Sequence, residues 1–194
     1  MMNFLSLDLE LNNSREGLPD PKIIQVGISV GNLDSGILLT KCWFLDPGEP
    51  IFEFITGLTG ITDFEIAQKS ISMKLMSEEL SDIIKKYECF VNPVTWGAGD
   101  AIKLIADLKQ NDIYFPHFGR RELDVKQIYT YLMICQNRSL KSGLSSALGR
   151  FKLQFKGQPH RADADAENTL LLFFKLIERQ PKLEELLSLT RSVQ

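Results

Sequence analysis

The sequence has few of the residues that build disulfide frameworks, zinc sites or strongly basic surfaces. Its three cysteines, Cys42, Cys89 and Cys135, are odd in number and far apart. They therefore form neither a disulfide framework nor a Cys-x-x-Cys metal pair, and we expect reduced thiols in a cytoplasmic protein. Lysine and arginine total 22 against 25 aspartates and glutamates, for a net charge of −3. This balance excludes non-specific coating of nucleic acid by a basic surface.

Long apolar runs are also missing. The longest, residues 170–174, is far too short to span a bilayer. The N-terminus lacks the basic region of a secretory signal, so we expect no membrane partner. With 194 residues and 44% hydrophobic residues, the chain can bury one sizeable core, and we expect one domain over residues 1–194.

The hydrophobic pattern predicts an α/β fold. Early segments alternate as strands do, and later strands alternate with stretches of helical periodicity. This order favours a mixed five-stranded sheet flanked by helices. The predicted strands are residues 3–11, 22–30, 37–45, 88–96 and 113–118, and the predicted helices are residues 72–87, 98–110, 122–135, 142–151 and 162–179, with another starting at Pro181.

Two acids share one face of the first predicted strand. Leucines occupy every second position of residues 3–11, so Asp8 and Glu10 leave the opposite face together. Adjacent carboxylates repel each other and lose hydration when buried, but a divalent cation with oxygen ligands turns such a pair into a site. The alternative is that this face is simply the solvated side of an amphipathic strand.

Further acids open two of the later predicted helices. Asp100 follows the turn of Gly97 and Gly99, where a capping carboxylate or the helix dipole would also account for it. Asp165 lies in a first helical turn among small alanines, and His160 stands just before that turn. Here too the dipole could account for the acids, and a lone histidine could be structural.

Taken together, these residues could converge on one edge of the sheet. A cluster of this kind can hold two divalent cations about 3.5–4 Å apart, which stabilise an in-line phosphoryl displacement. A nearby histidine with a pKa close to neutral could accept a proton from the attacking water. The spacing of the residues alone leaves this convergence open.

The ordered motifs resemble those of the DEDDh branch of the DnaQ-like 3′–5′ exonucleases, which have a ribonuclease H-like fold. The first motif is matched by Asp8-Leu9-Glu10, the middle one by Asp100, and the third by His160-Arg161-Ala162-Asp163-Ala164-Asp165. The stretch Trp96-Gly97-Ala98-Gly99-Asp100 is most similar to the group of histone-mRNA and small-RNA exonucleases and KapD-like proteins. Asp163 is not one of the five motif positions.

This resemblance implies a single exonuclease domain over residues 1–194. Its implied cofactors are two Mg²⁺ or Mn²⁺ ions, held by Asp8, Glu10, Asp100 and Asp165, with His160 as the general base. The implied substrates are single-stranded RNA or DNA 3′ ends, with RNA favoured and nucleoside 5′-monophosphates released. The implied substrate contacts are Leu58, Thr59, Gly60, Ile61 and Trp96.

Two alternatives to this function stay open. One is a DNA-trimming or proofreading exonuclease, and the other is a non-catalytic nucleic-acid-binding or regulatory protein with the same fold. A basic rim of Arg120, Arg121, Lys126, Arg150, Lys152, Lys156 and Arg161 could hold phosphates.

Overall fold

A computed structural model of the chain describes residues 2–14, 16–17, 19–140 and 143–178. Its elements, in chain order, are β1 (Phe4–Asn12), β2 (Lys22–Asn32), β3 (Gly36–Phe44), α1 (Glu53–Thr59), α2 (Asp63–Lys69), α3 (Met73–Lys86), β4 (Val94–Thr95), α4 (Asp100–Gln110), β5 (Leu123–Asp124), α5 (Val125–Cys135), α6 (Leu144–Arg150) and α7 (Ala162–Ile177).

The described strands form one five-stranded mixed sheet in the spatial order β3-β2-β1-β4-β5. The first three strands pair antiparallel, and a turn of three residues joins β2 to β3. β4 pairs with β1, and β5 with β4, in the parallel direction. The described helices flank this sheet, so the predicted fold class is confirmed.

Both faces of β1 are covered. Its leucines belong to a core with α3 and α4, which includes Leu5, Leu7, Leu9, Met76, Leu80 and Leu104. On the other face, Ser6 is fully buried and the ring of Phe4 lies 5.1 Å from that of Phe173 in α7. The face that carries Asp8 and Glu10 is therefore not a solvated side of the strand, and that alternative is wrong.

The N-terminus of α7 comes unusually close to β2. A Cβ atom at Gly27 would lie 2.0 Å from the carbonyl carbon of Ala162, so only glycine fits at this position. Two residues earlier in β2, the side-chain oxygen of Gln25 accepts a hydrogen bond of 2.9 Å from the Ala162 N–H. Since Gly27 is opposite Asp8 in the sheet, this contact places the first turn of α7 beside the acids of β1.

Two predicted strands are corrected. Of residues 88–96 only Val94–Thr95 form a strand, and residues 113–118 form none; the fifth strand is Leu123–Asp124. Apolar residues of the 113–118 segment do pack on the core, but they do so from an irregular loop that contains Pro116. Apolar and polar residues alternate in this segment as they do in a strand, but its backbone does not pair with a neighbouring strand.

The structure has two helices that the prediction lacks, and the other helices differ from the prediction at their ends. Residues 53–59 and 63–69 form α1 and α2, which were not predicted because helices of seven residues depend on tertiary contacts. Asp124 caps α5 by accepting from the Gln127 N–H, so this helix begins at Val125 rather than at residue 122. Residue 142, residue 179 and the helix predicted from Pro181 lie outside the described residues. None of the described helices combines the length and apolarity that a membrane crossing demands.

Candidate active site

β1 brings Asp8 and Glu10 to the point where α7 begins. In the sheet, Asp8 faces Gly27 and Glu10 faces Gln25, the two residues of β2 that meet the start of α7. The two carboxylates leave the same face of β1 because side chains alternate along a strand. The close approach of α7 therefore buries them beside the acids of its first turn.

Asp100 is supplied by the turn between β4 and α4. It is the first residue of α4, and the preceding cap position is Gly99, whose φ of 125° is unfavourable for any other residue. The free N–H groups of Gly99 and Ala101 donate to the carboxylate of Glu122, at 2.9 and 2.8 Å. Glu122 thus fills the capping role that was the alternative for Asp100.

His160 and Asp165 lie at the start of α7. His160 is exposed and has a φ of 62°, which is uncommon for a residue with a side chain. This conformation lets its backbone N–H donate to Oδ2 of Asp165 at 3.1 Å. One ligand atom each from Glu10, His160 and Asp165 lie within 4.8 Å of one another, and no other part of the described chain has a comparable group.

The four carboxylates of Asp8, Glu10, Asp100 and Asp165, called here the acidic cluster, disfavour one another's ionisation. Burial and then the charges of Asp100, Asp165 and Glu10 raise the pKa of Asp8 well above its usual range. Burial and the neighbouring carboxylates raise the pKa of Glu10 to about 8. Burial and the charge of Glu122 raise the pKa of Asp100 to about 7, and burial also raises the pKa of Asp165.

Much of the acidic cluster borders a cavity of about 350 Å³. Asp8, Glu10 and Asp165 line it together with His160 and Trp96, and the 143–146 segment closes one side. Buried carboxylates that crowd one another are costly unless a ligand supplies positive charge, and oxygen donors suit Mg²⁺ and Mn²⁺. The residues present therefore fit the binding of divalent cations. A larger cavity, about 1110 Å³ beside α3, has no part of the acidic cluster in its lining.

The predicted substrate segment, residues 58–61, divides into exposed and buried positions. Leu58 is 41% exposed at the end of α1, and Gly60 ends that helix with a φ of 74°. Thr59 is buried, with its hydroxyl donating to the Ile55 carbonyl, and Ile61 is fully buried in the core. Trp96 packs against Tyr129 at 5.9 Å and also lines the cavity. Leu58 and Trp96 are therefore the predicted contacts whose side chains remain available.

Several residues that shape this site were not predicted. Gln25 and Glu122 hold the starts of α7 and α4, and Asn168 holds the segment before His160 by exchanging hydrogen bonds with the backbone of Lys156. Their partners are distant in sequence, so only the position of Glu122 near a turn could have indicated a role. Within the predicted basic rim, Arg161 is already bound to Glu65, and Lys156 to Glu167.

Comparison with known proteins was made by sequence and by structure. No protein-family model matches the chain, and no curated protein matches it either. Solved structures do match. The nuclease domain of 3′hExo, a DEDDh family member bound to rAMP, superposes with a TM-score of 0.77 at 16% identity, over 91% of this chain and 92% of that one. Against full-length 3′-exonuclease the chain spans 60% of the length.

Two further structures are similar. Pop2p of S. pombe, in its Mg²⁺- and Mn²⁺-bound form, has a TM-score of 0.67 and 19% identity, over 91% of this chain and 83% of that one. E. coli exonuclease I, in complex with a dT13 oligonucleotide, has a TM-score of 0.69 and 14% identity, over 96% of this chain and 43% of that one. The predicted resemblance to the DnaQ-like exonucleases is confirmed, and at these identities what is shared is the fold.

Proposed function

We propose that this chain is a metal-dependent 3′–5′ exonuclease that releases nucleoside 5′-monophosphates from single-stranded nucleic acid ends, with RNA favoured. The observation that carries the proposal is the acidic cluster itself: Asp8, Glu10 and Asp165 border one cavity beside His160, and burial, together with the neighbouring carboxylates, raises the pKa of Asp8 and Glu10. A fold that only binds nucleic acid has no need to keep such repulsion. Residues 1–194 would form one exonuclease domain.

The acidic cluster would bind two Mg²⁺ or Mn²⁺ ions. When bound, such ions stabilise both the attacking and the leaving oxygen of an in-line phosphoryl displacement. The carboxylates would act as oxygen ligands, because each oxygen of an ionised carboxylate can coordinate a cation. Burial on the covered face of β1 keeps bulk water from competing with them.

His160 would accept the proton of the attacking water. Its position supports this role, because it is exposed beside the cavity and is within reach of Glu10 and Asp165. Its backbone N–H bond to Asp165 ties the histidine to one of the proposed ligands. A general base positioned in this way contributes typically a hundredfold or more to the rate.

The terminal nucleotide would enter between Leu58 and Trp96. Leu58 offers an exposed apolar side chain, Trp96 an aromatic one, and the Gly60 turn allows a close approach of backbone. Thr59 and Ile61 would support the segment from the core. The rAMP in the similar 3′hExo structure supports a ribonucleotide ligand, whereas the dT13 in exonuclease I supports the DNA alternative.

The test is digestion of 5′-labelled single-stranded RNA and DNA of equal sequence, with Mg²⁺, Mn²⁺ or EDTA. We expect a metal-dependent ladder that shortens from the 3′ end, faster on RNA, with nucleoside 5′-monophosphates as products. Asp163→Asn is a matched control, since this acid lies in the same helical turn as Asp165 but outside the acidic cluster. Faster digestion of DNA would favour the trimming enzyme. An intact label with the folded protein would favour the non-catalytic alternative.

A further inference from the structure

The segment that carries His160 is attached to the α1–α2 region on both sides of the histidine. On one side, Arg161 donates two hydrogen bonds to Glu65 of α2, at 3.0 and 3.1 Å. On the other, the side-chain amide of Gln158 donates to the Thr59 carbonyl at 3.2 Å. The same amide lies 3.1 Å from where a Cβ atom of Gly60 would be. His160 is thus held between one contact to α2 and one to Thr59, which belongs to the segment proposed to meet the terminal nucleotide.

The Arg161–Glu65 pair has the features of a rigid attachment. Its side chains are only 19% and 18% exposed, and the guanidinium lies over the Phe44 ring at 5.1 Å. The hydrogen bonds from Arg161 are the main reason that the pKa of Glu65 lies below its usual range. A two-pronged bond between a guanidinium and a carboxylate fixes direction as well as distance, which a single surface ion pair does not.

His160 needs such support because its own conformation is unfavourable. A positive φ in a residue with a side chain persists only where the surroundings impose it. The bond from its N–H to Asp165 orients the backbone, but the ring is exposed. Since the backbone of His160 sets the direction in which its ring points, that direction depends on the contacts of Gln158 and Arg161 on either side.

We propose that Glu65 and Arg161 are positioning residues, which hold His160 in register with the base-facing segment 58–61. This inference rests on the proposed exonuclease function and names two residues that act on the reaction through His160. Contact of a terminal nucleotide with residues 58–61 would stabilise the same α1–α2 region that holds the histidine. Binding of the correct end and placement of the base would thereby be linked.

Kinetics of Glu65→Gln test the proposal. We expect kcat to fall by about tenfold or more with KM little changed, because a misplacement of about 1 Å costs up to a hundredfold. Lys69→Gln is the matched control, since Lys69 also pairs with Glu65, at 2.8 Å, but does not hold Arg161. An equal fall in kcat for Lys69→Gln, or none for Glu65→Gln, would overturn the proposal.

A second variant guards against loss of folding. Arg161→Lys keeps the charge but cannot form the two-pronged bond, and it should lower kcat without unfolding the protein. Combining it with Glu65→Gln should give little further loss, since both changes remove the same contact. Full addition of the two effects would contradict the proposed pair.

A measurement on the ring itself separates this proposal from the proposed function. The chain has only two histidines, so NMR spectra should show one set of ring signals for each. The set from His117 serves as the internal reference. Glu65→Gln should shift the His160 signals and leave those of His117 in place, whereas Lys69→Gln should leave both. Such a shift in an inactive protein would keep the positioning role and reject the nuclease. Unchanged His160 signals in Glu65→Gln, in a protein that digests nucleic acid, would reject the positioning role and keep the nuclease.

Discussion

Carboxylates occur in two kinds of surroundings in this protein. In the acidic cluster, burial is the largest cause that raises the pKa of the four carboxyl groups, and the charges of neighbouring carboxylates raise it further. Elsewhere, Glu65 is bound by Arg161, and Asp20 and Asp107 share Lys103 at 2.6 and 2.8 Å. There the bound cations lower the pKa of Glu65 and Asp20. The negative charge of the carboxylates is thus offset by bound cations in the second region, whereas in the acidic cluster no side chain forms such an ion pair among the described residues.

The difference indicates which region needs something from outside the chain. A carboxylate that is already paired contributes to folding as it stands, while unpaired and crowded carboxylates cost folding free energy until a cation arrives. Removing a charge should therefore have opposite effects on stability in the two regions. It should affect catalysis directly in the acidic cluster, and in the paired region only where the pair holds His160, as Glu65 and Arg161 are proposed to do.

The largest expected effect comes from neutralising one acid of the cluster. Asp8→Asn or Asp165→Asn should reduce nuclease activity by about a thousandfold, because a proposed ligand of the ions is lost. At the same time, the melting temperature of the metal-free protein should rise, since repulsion among the carboxylates is relieved. Activity assays and thermal unfolding in EDTA measure the two effects. Retained activity in either variant would contradict the assignment of ligands.

His160→Ala should have the next largest effect. The rate should fall by about a hundredfold, the usual contribution of a general base. The stabilisation of the protein by Mn²⁺ should largely persist, because the four carboxylates remain. Comparing turnover with Mn²⁺-dependent melting separates these roles, and an equal loss of both would assign His160 to the ions instead.

Glu122→Gln is expected to have an intermediate effect. The carboxylate accepts from two N–H groups, and an amide offers only one accepting oxygen to them. The turn that presents Asp100 should loosen, and turnover should fall by about tenfold, the equivalent of one hydrogen bond of about 1.4 kcal/mol. Glu78→Gln, the same change at an exposed position of α3, is the control. A normal rate in Glu122→Gln would mean that the turn holds its shape without this side chain.

Much of the acidic cluster could be predicted from the sequence, while its supports could not. Alternation along β1 placed Asp8 and Glu10 on one face, and the motif order suggested the rest. The Glu65–Arg161 contact joins residues 96 positions apart, so no local pattern records it. The strands β4 and β5 have two residues each and exist only through pairing with their neighbours. Local preferences cannot reveal elements that tertiary contacts create.

The pH dependence of stability tests the acidic cluster without reference to activity. A carboxyl whose pKa is raised in the folded state keeps a proton there that the unfolded chain releases, so raising the pH favours unfolding. With the pKa of Glu10 about 8 and that of Asp100 about 7, the metal-free protein should lose stability between about pH 4 and about pH 8. Mn²⁺ at one hundred times its dissociation constant should restore about 2.7 kcal/mol. Thermal unfolding at several pH values, with EDTA or Mn²⁺, measures this; a flat profile in EDTA would contradict the crowding of charge.

The smallest effect is expected where the charges are already paired. Lys103→Gln removes the cation shared by Asp20 and Asp107, whose oxygens lie 2.6 and 2.8 Å from the ammonium group. The pair with the exposed Asp20 contributes at most about 1 kcal/mol, and the buried Asp107 also loses its cation, so the melting temperature should fall by at least about 2–4 °C. Nuclease turnover should be unchanged, because neither acid belongs to the acidic cluster. Stabilisation by this variant, in place of the small loss, would mean that unbalanced charge is not confined to the proposed active site.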